Sequence, residues 1–224
     1  EFISRRGSFI GLQGLAGELL NDDFEDGRFL LWEAAAEAGG SVVPAPTAAL
    51  SGELGAEFRL AAGQVAFLER DFRSSEDHLH LRFLFDPGNL GVGLSNEVRL
   101  VSGARDGVAE PTISLRLVQD GTVPSLLAFA ELDSGDRAET GSLPIPSIGA
   151  SLVELDWRAA APGGTDGSLV IKIQDLTSGA VAKAEALGLN NENQRVEILR
   201  LGQDIAAGAA TQGSMALDRL EVWR

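Results

Sequence analysis

The chain has no cysteine and no tyrosine, one methionine, two histidines and two lysines among 224 residues. Lacking cysteine, it has no disulfides, no thiolate chemistry and no Cys-ligated zinc. Both histidines sit in His78-Leu79-His80, no Gly-x-Ser-x-Gly elbow is present, and a Ser-His-Asp triad is not supported. Neither a Walker-type Gly-Lys-Ser/Thr nor a strand-linked G-x-G-x-x-G occurs, so no nucleotide cofactor is expected. Positive charge is scarce: 18 basic against 33 acidic side chains leave a net charge of −15, which repels nucleic acid and anionic lipid. The longest apolar stretch, Ser8 to Leu20, falls short of the roughly 20 residues of a membrane helix and contains Gln13 and Glu18. We therefore expect no nucleic-acid partner and no membrane insertion.

What the chain does have is alternation. Apolar and polar residues take turns in Glu57–Leu60, Gln64–Arg70, His78–Phe85, Thr112–Val118, Ser151–Arg158, Ser168–Asp175, Arg195–Leu201 and Ala216–Trp223. In His78–Phe85, Leu79, Leu81, Phe83 and Phe85 fall on one face, with His78, His80 and Arg82 on the other. Turn chemistry separates the runs, as in Asp86-Pro87-Gly88-Asn89 and Pro162-Gly163-Gly164. About ten to thirteen strands at this spacing predict an all-β, two-sheet antiparallel sandwich. Only Glu33–Ala38 and Leu187–Gln194 read as short helical turns. Residues 1–20 read as an N-terminal arm or connector, able to add to a neighbour's sheet edge, and 21–224 as one domain.

The two ends carry a more specific pattern. Asn21-Asp22-Asp23-Phe24-Glu25-Asp26-Gly27 precedes Trp32, and Gly213-Ser214-Met215-Ala216-Leu217-Asp218-Arg219-Leu220-Glu221-Val222 closes the chain. This resembles the LamG-like, concanavalin A-like jelly rolls of bacterial secreted and surface proteins; carbohydrate-binding modules of families 4, 9 and 22 share the terminal logic. The resemblance implies a jelly roll whose first and last strands lie side by side, an extracellular or cell-surface location, and a structural calcium near that seam. Asp23, Glu25 and Asp218 would then converge as metal ligands, since adjacent carboxylates repel unless a cation sits between them. The alternative is that Glu25 pairs with Arg219 or Arg28 while Asp218 caps a turn.

Hydrolases on this scaffold, by the same resemblance, carry Glu-x-Asp-x-Glu on one strand. Glu69-Arg70-Asp71, Glu131-Leu132-Asp133 and Glu154-Leu155-Asp156 each begin that run, but Arg73, Gly135 and Arg158 stand where the last carboxylate belongs. The two histidines lie about 7 Å apart along a strand, and a metal would need a third ligand from Glu76, Asp77 or a remote carboxylate. Of the aromatic residues, Trp32, Trp157 and Trp223 are the candidates for sugar stacking, and Asp86, Asn89, Asn96, Asp120 and Asn190 the loop candidates for polar contacts. Most of these read better as core and turn residues. The expectation is a chain that is not an enzyme: a structural or adhesive extracellular module that associates with copies of itself or with neighbouring domains, or alternatively a carbohydrate-binding module.

Overall fold

The computed structural model describes residues 17–93, 96–120, 123–145 and 149–224. The strands run β1 Glu18–Asp22, β2 Ala34–Ala38, β3 Ser41–Ala45, β4 Gly55–Ala61, β5 Val65–Glu76 and β6 His78–Asp86. They continue with β7 Glu97–Ala104, β8 Ile113–Asp120, β9 Val123–Glu131, β10 Arg137–Glu139, β11 Leu143–Pro144 and β12 Ser151–Arg158. The last four are β13 Gly167–Asp175, β14 Val181–Leu189, β15 Val196–Gln203 and β16 Gln212–Trp223. Sheet I has the order β14-β13-β12-β6-β16-β4-β3, with β1 also against β16; sheet II has the order β10-β9-β8-β7-β15-β5-β2, with β11 against β9. Every strand pair is antiparallel, and the chain crosses repeatedly between the sheets. This is the expected jelly-roll sandwich.

Alternation explains the core. Leu79, Leu81, Phe83 and Phe85 of β6 are fully buried between the sheets, as are Val153, Leu155 and Trp157 of β12 and Ile113, Leu115 and Leu117 of β8. Burying each such side chain contributes roughly 1.5–3 kcal/mol, so the period-two pattern selects the face that turns inward. Gly202 lets β15 pack closely, its backbone at φ +106°; a Cβ there would meet both the Ala66 carbonyl and the Phe58 ring at 2.5 Å.

Two local expectations are corrected. Residues 34–38 form the edge strand β2 against β5, and Leu187–Leu189 complete β14, where helical turns were expected. Ala and Glu are good helix formers, but propensity is worth less than about 1 kcal/mol per residue, and ladder hydrogen bonds to an existing sheet override it. The single helical turn among the described residues is the 3-10 segment Pro46–Ala48. Most of the expected arm, residues 1–16, lies outside the described residues, and the boundary placed after Leu20 falls inside β1.

β1 does run beside β16, with Asp22 opposite Leu220. Phe24 follows in a left-handed conformation at φ 59°, its ring buried and edge-on to Phe29 at 6.2 Å. Asp22 holds this turn: one carboxylate oxygen accepts the Phe24 amide at 2.9 Å and the other the Trp32 indole N–H at 2.7 Å. Burial pushes the Asp22 carboxyl up from its ordinary range.

Candidate functional site

The seam expected to bind calcium is organised by backbone amides. Asp218 is fully buried, and its Oδ2 accepts from Leu50 N at 2.9 Å and Ser51 N at 2.7 Å, while Oδ1 accepts from Arg219 N at 2.7 Å. Glu25 Oε1 accepts from Glu53 N at 2.8 Å and Leu54 N at 3.2 Å, and Asp23 accepts from Glu25 N at 3.2 Å. Burial pushes the Asp218 carboxyl up to about 6, with the nearby Glu25 charge adding a smaller push. A cation needs oxygens turned toward it, whereas six N–H groups point at these carboxylates. As placed, the set does not fit calcium, and no group of three or more His, Asp or Glu among the described residues could hold a metal ion.

The outer face of sheet I gathers the histidines. β6 pairs with β12 so that Asp156 stands opposite His80, and the Asp156 Oδ2 lies 3.1 Å from His80 Nδ1 and 3.4 Å from His78 Nε2. These hydrogen bonds, that of His80 first, hold the Asp156 carboxyl below its ordinary range. Trp223 tilts against the His80 ring at 5.4 Å. A remote carboxylate, Asp156, thus joins the histidines by hydrogen bonds on a face open to solvent, and the three form no metal site. Trp157, by contrast, is fully buried core, and Trp32 is locked onto Asp22. Among the loop candidates, Asp86 caps Gly88 N at 2.8 Å and Asn89 accepts from Ser214 N at 2.8 Å, as turn residues do.

The outer face of sheet II was missed by sequence reasoning, and it carries the denser chemistry. β7 and β8 pair with Arg99 opposite Arg116, and β15 pairs with β5 with Arg200 opposite Glu69. Arg99 Nη1 donates to Asp204 Oδ1 at 3.0 Å, Ser102 Oγ donates to Asp204 Oδ2 at 2.7 Å, and Arg200 lies 3.7 Å from that carboxylate. Arg116 donates to Glu97 at 2.5 Å and to Ser114 at 3.0 Å, and Arg200 to Glu69 at 2.7 Å. The guanidinium of Arg116 lies 4.2 Å above the Phe129 ring, and that of Arg200 lies 5.5 Å from the Phe67 ring.

Three arginines thus meet Glu69, Glu97 and Asp204, so this patch is neutral on a chain of charge −15. Arg99 and Arg116 are only 5% and 6% exposed. Charged residues so buried on the outward side of a sheet are uncommon without a task or a tight network. Two buried nitrogens here, Arg99 Nε and Gln203 Nε2, have no hydrogen-bond partner among the described residues. The available signal was Arg99, Ser102, Ser114 and Arg116 at outward positions of adjacent apolar strands; each taken alone reads as a solvated residue.

No protein-family model matches the chain, and no curated protein matches it. Solved structures do share the fold. A marine alginate lyase from Aplysia kurodai superposes with a TM-score of 0.58 at 14% identity, covering 83% of this chain and 89% of its own. A carbohydrate esterase of the Shiga toxin-encoding bacteriophage phi24B gives 0.56 at 14% identity, covering 94% and 99%. The CBM2 module of the evolved Dit of Lactobacillus casei BL23 phage J-1 gives 0.54 at 9% identity, covering 92% and 95%. These likenesses establish a shared sandwich. They also overturn the expectation that the chain is not an enzyme, because lyase and esterase structures are built on this fold. That expectation rested on an incomplete glycosidase carboxylate set. Such an omission excludes one mechanism only, since an elimination requires a proton acceptor and charge stabilisation instead of a nucleophile and acid pair.

Proposed function

We propose that this chain is a carbohydrate-recognising β-sandwich that engages a glycan on the outer face of sheet II. The observation that carries the reading is the neutral cluster of Arg99, Arg116, Arg200, Glu69, Glu97 and Asp204 beside Phe67 and Phe129, with unpartnered Arg99 Nε and Gln203 Nε2. Sugar hydroxyls donate and accept at once, and ion pairs fixed on strands offer both without repelling a neutral or an acidic chain. Phe67 and Phe129 add apolar surface of the kind sugar rings cover. The solved structures with this fold include a lyase and an esterase named for carbohydrate substrates, which supports the substrate class. A LamG-like affiliation, supported by the Asp23-Phe24-Glu25 and Leu217-Asp218 ends, belongs to the same proposal, as does work outside the cell, where polysaccharides are met.

The test is a glycan array followed by calorimetry on one neutral and one uronate polymer, with chain shortening followed in the same samples. Arg200, a quarter exposed, is the residue to change: Arg200→Ala should weaken binding about tenfold while leaving the circular dichroism spectrum intact. Absence of any glycan hit, or undiminished binding by the variant, overturns the reading.

A further inference from the structure

Among the described residues the ends of the two sheet orders give four lateral edges, and three are blunted. β3 contains Pro44, β10 and β11 are three and two residues long with Pro144 in the latter, and β2 has five residues. The fourth, β14, has no proline, keeps regular register over Val181–Leu187 before a bulge at Gly188, and among the described residues pairs on one side only, with β13. Long edges with unpaired amides and carbonyls are templates for another strand.

The side chains on this edge are arranged about a centre. Register with β13 sets Val181, Lys183, Glu185 and Leu187 on the outer face, opposite Gln174, Lys172, Val170 and Ser168. Val181 is 55% exposed and Leu187 is 61% exposed, among the most exposed apolar side chains of the described residues. Ala184 lies midway between Lys183 and Glu185, and also midway between Val181 and Leu187.

We propose that β14 pairs antiparallel with β14 of a second copy about a two-fold axis through Ala184, joining two sheets I into one continuous sheet. That axis sets Lys183 opposite Glu185 of the second copy, twice, and Val181 opposite Leu187, twice. A two-fold axis normal to the sheet keeps outer residues opposite outer residues, so neighbouring registers differ by two. Centred on Lys183 the pairing faces lysine with lysine, and centred on Glu185 it faces glutamate with glutamate; both are penalised. Only the Ala184 register satisfies charge and apolar matching together. Within the single copy Lys183 stands directly opposite Lys172 and pairs along its own strand with Glu185 at 2.5 Å. Lys172 engages Glu154 at 3.1 Å, and the pairing gives Lys183 a second carboxylate, the Glu185 of the other copy, on its open side. The interface is isologous, as closed dimers require, and involves neither the arginine cluster nor the histidine face.

Sedimentation velocity on the full chain, from micromolar to near-millimolar concentration, tests this. The wild type should pass from monomer to dimer and stop there. Lys183→Glu and Glu185→Lys, each at an exposed side chain, should each weaken dimerisation by about tenfold or more through like-charge pairs, with the fold unchanged by circular dichroism. The double exchange Lys183→Glu with Glu185→Lys should restore wild-type affinity. A wild type that stays monomeric, single variants that dimerise as tightly as the wild type, or a double exchange that fails to recover would each overturn the assignment.

Discussion

Arg99 and Arg116 stand directly opposite each other on adjacent strands, and both are almost entirely buried. Like charges in that relation repel, and the pair persists because each guanidinium has its own carboxylate, Asp204 at 3.0 Å and Glu97 at 2.5 Å.

Asp204 is therefore the keystone. Its side chain is 3% exposed and serves Arg99, Arg200 and Ser102. Asp204→Ala leaves a buried arginine unpaired and should cost about 3 kcal/mol of unfolding free energy, read from urea midpoints at constant slope. Arg200→Ala, at a more exposed position, should cost less than half as much; equal losses would mean that burial of the pair is not what matters.

Gly202 marks a tight approach of β15 to β5 and the core. Gly202→Ala sets a methyl 2.5 Å from the Ala66 carbonyl and the Phe58 ring in a left-handed backbone, and we expect a loss of roughly 2–3 kcal/mol. Gly135→Ala shares the positive φ but meets nothing within 4 Å, so it should show the smaller backbone cost alone, about 1 kcal/mol. Equal thermal shifts for the two would remove the packing argument.

Asp218 gives the stability a pH dependence of unusual sign. Burial raises its folded carboxyl to about 6, above the ordinary 3.8 that the unfolded chain keeps. Between those values the folded state holds the extra proton, so stability falls as pH rises through the interval, by up to about 3 kcal/mol. Asp156, held low by His80 and His78, acts oppositely, its contribution being lost only as pH falls below the ordinary carboxylate range. Relative to Asp218→Asn, the wild type should lose stability from pH 4 to pH 7 in denaturant titrations; parallel curves would contradict the assignment. Because amides fill this seam, EDTA should leave the melting temperature unchanged, and a fall would show that calcium holds these carboxylates after all.

The amino-acid sequence by itself determined the long alternating strands and their inward faces, while the meeting of the two ends followed from the family resemblance. Alternation such as Leu79, Leu81, Phe83 and Phe85 is a local property, and burial rewards it wherever the strand lands. Residues 34–38 escaped that logic because nothing local distinguishes an alanine-rich edge strand from a helical turn; only β5 beside it does. Tertiary structure alone decided that Asp156 joins the histidines, that Asp218 is met by the Leu50 and Ser51 amides, and that Arg99, Arg116, Arg200 and Asp204 form one cluster. Apart from Arg200 and Asp204, four residues apart, those partners are distant in sequence and come together through strand register, which depends on the whole sheet closing rather than on any segment's own pattern.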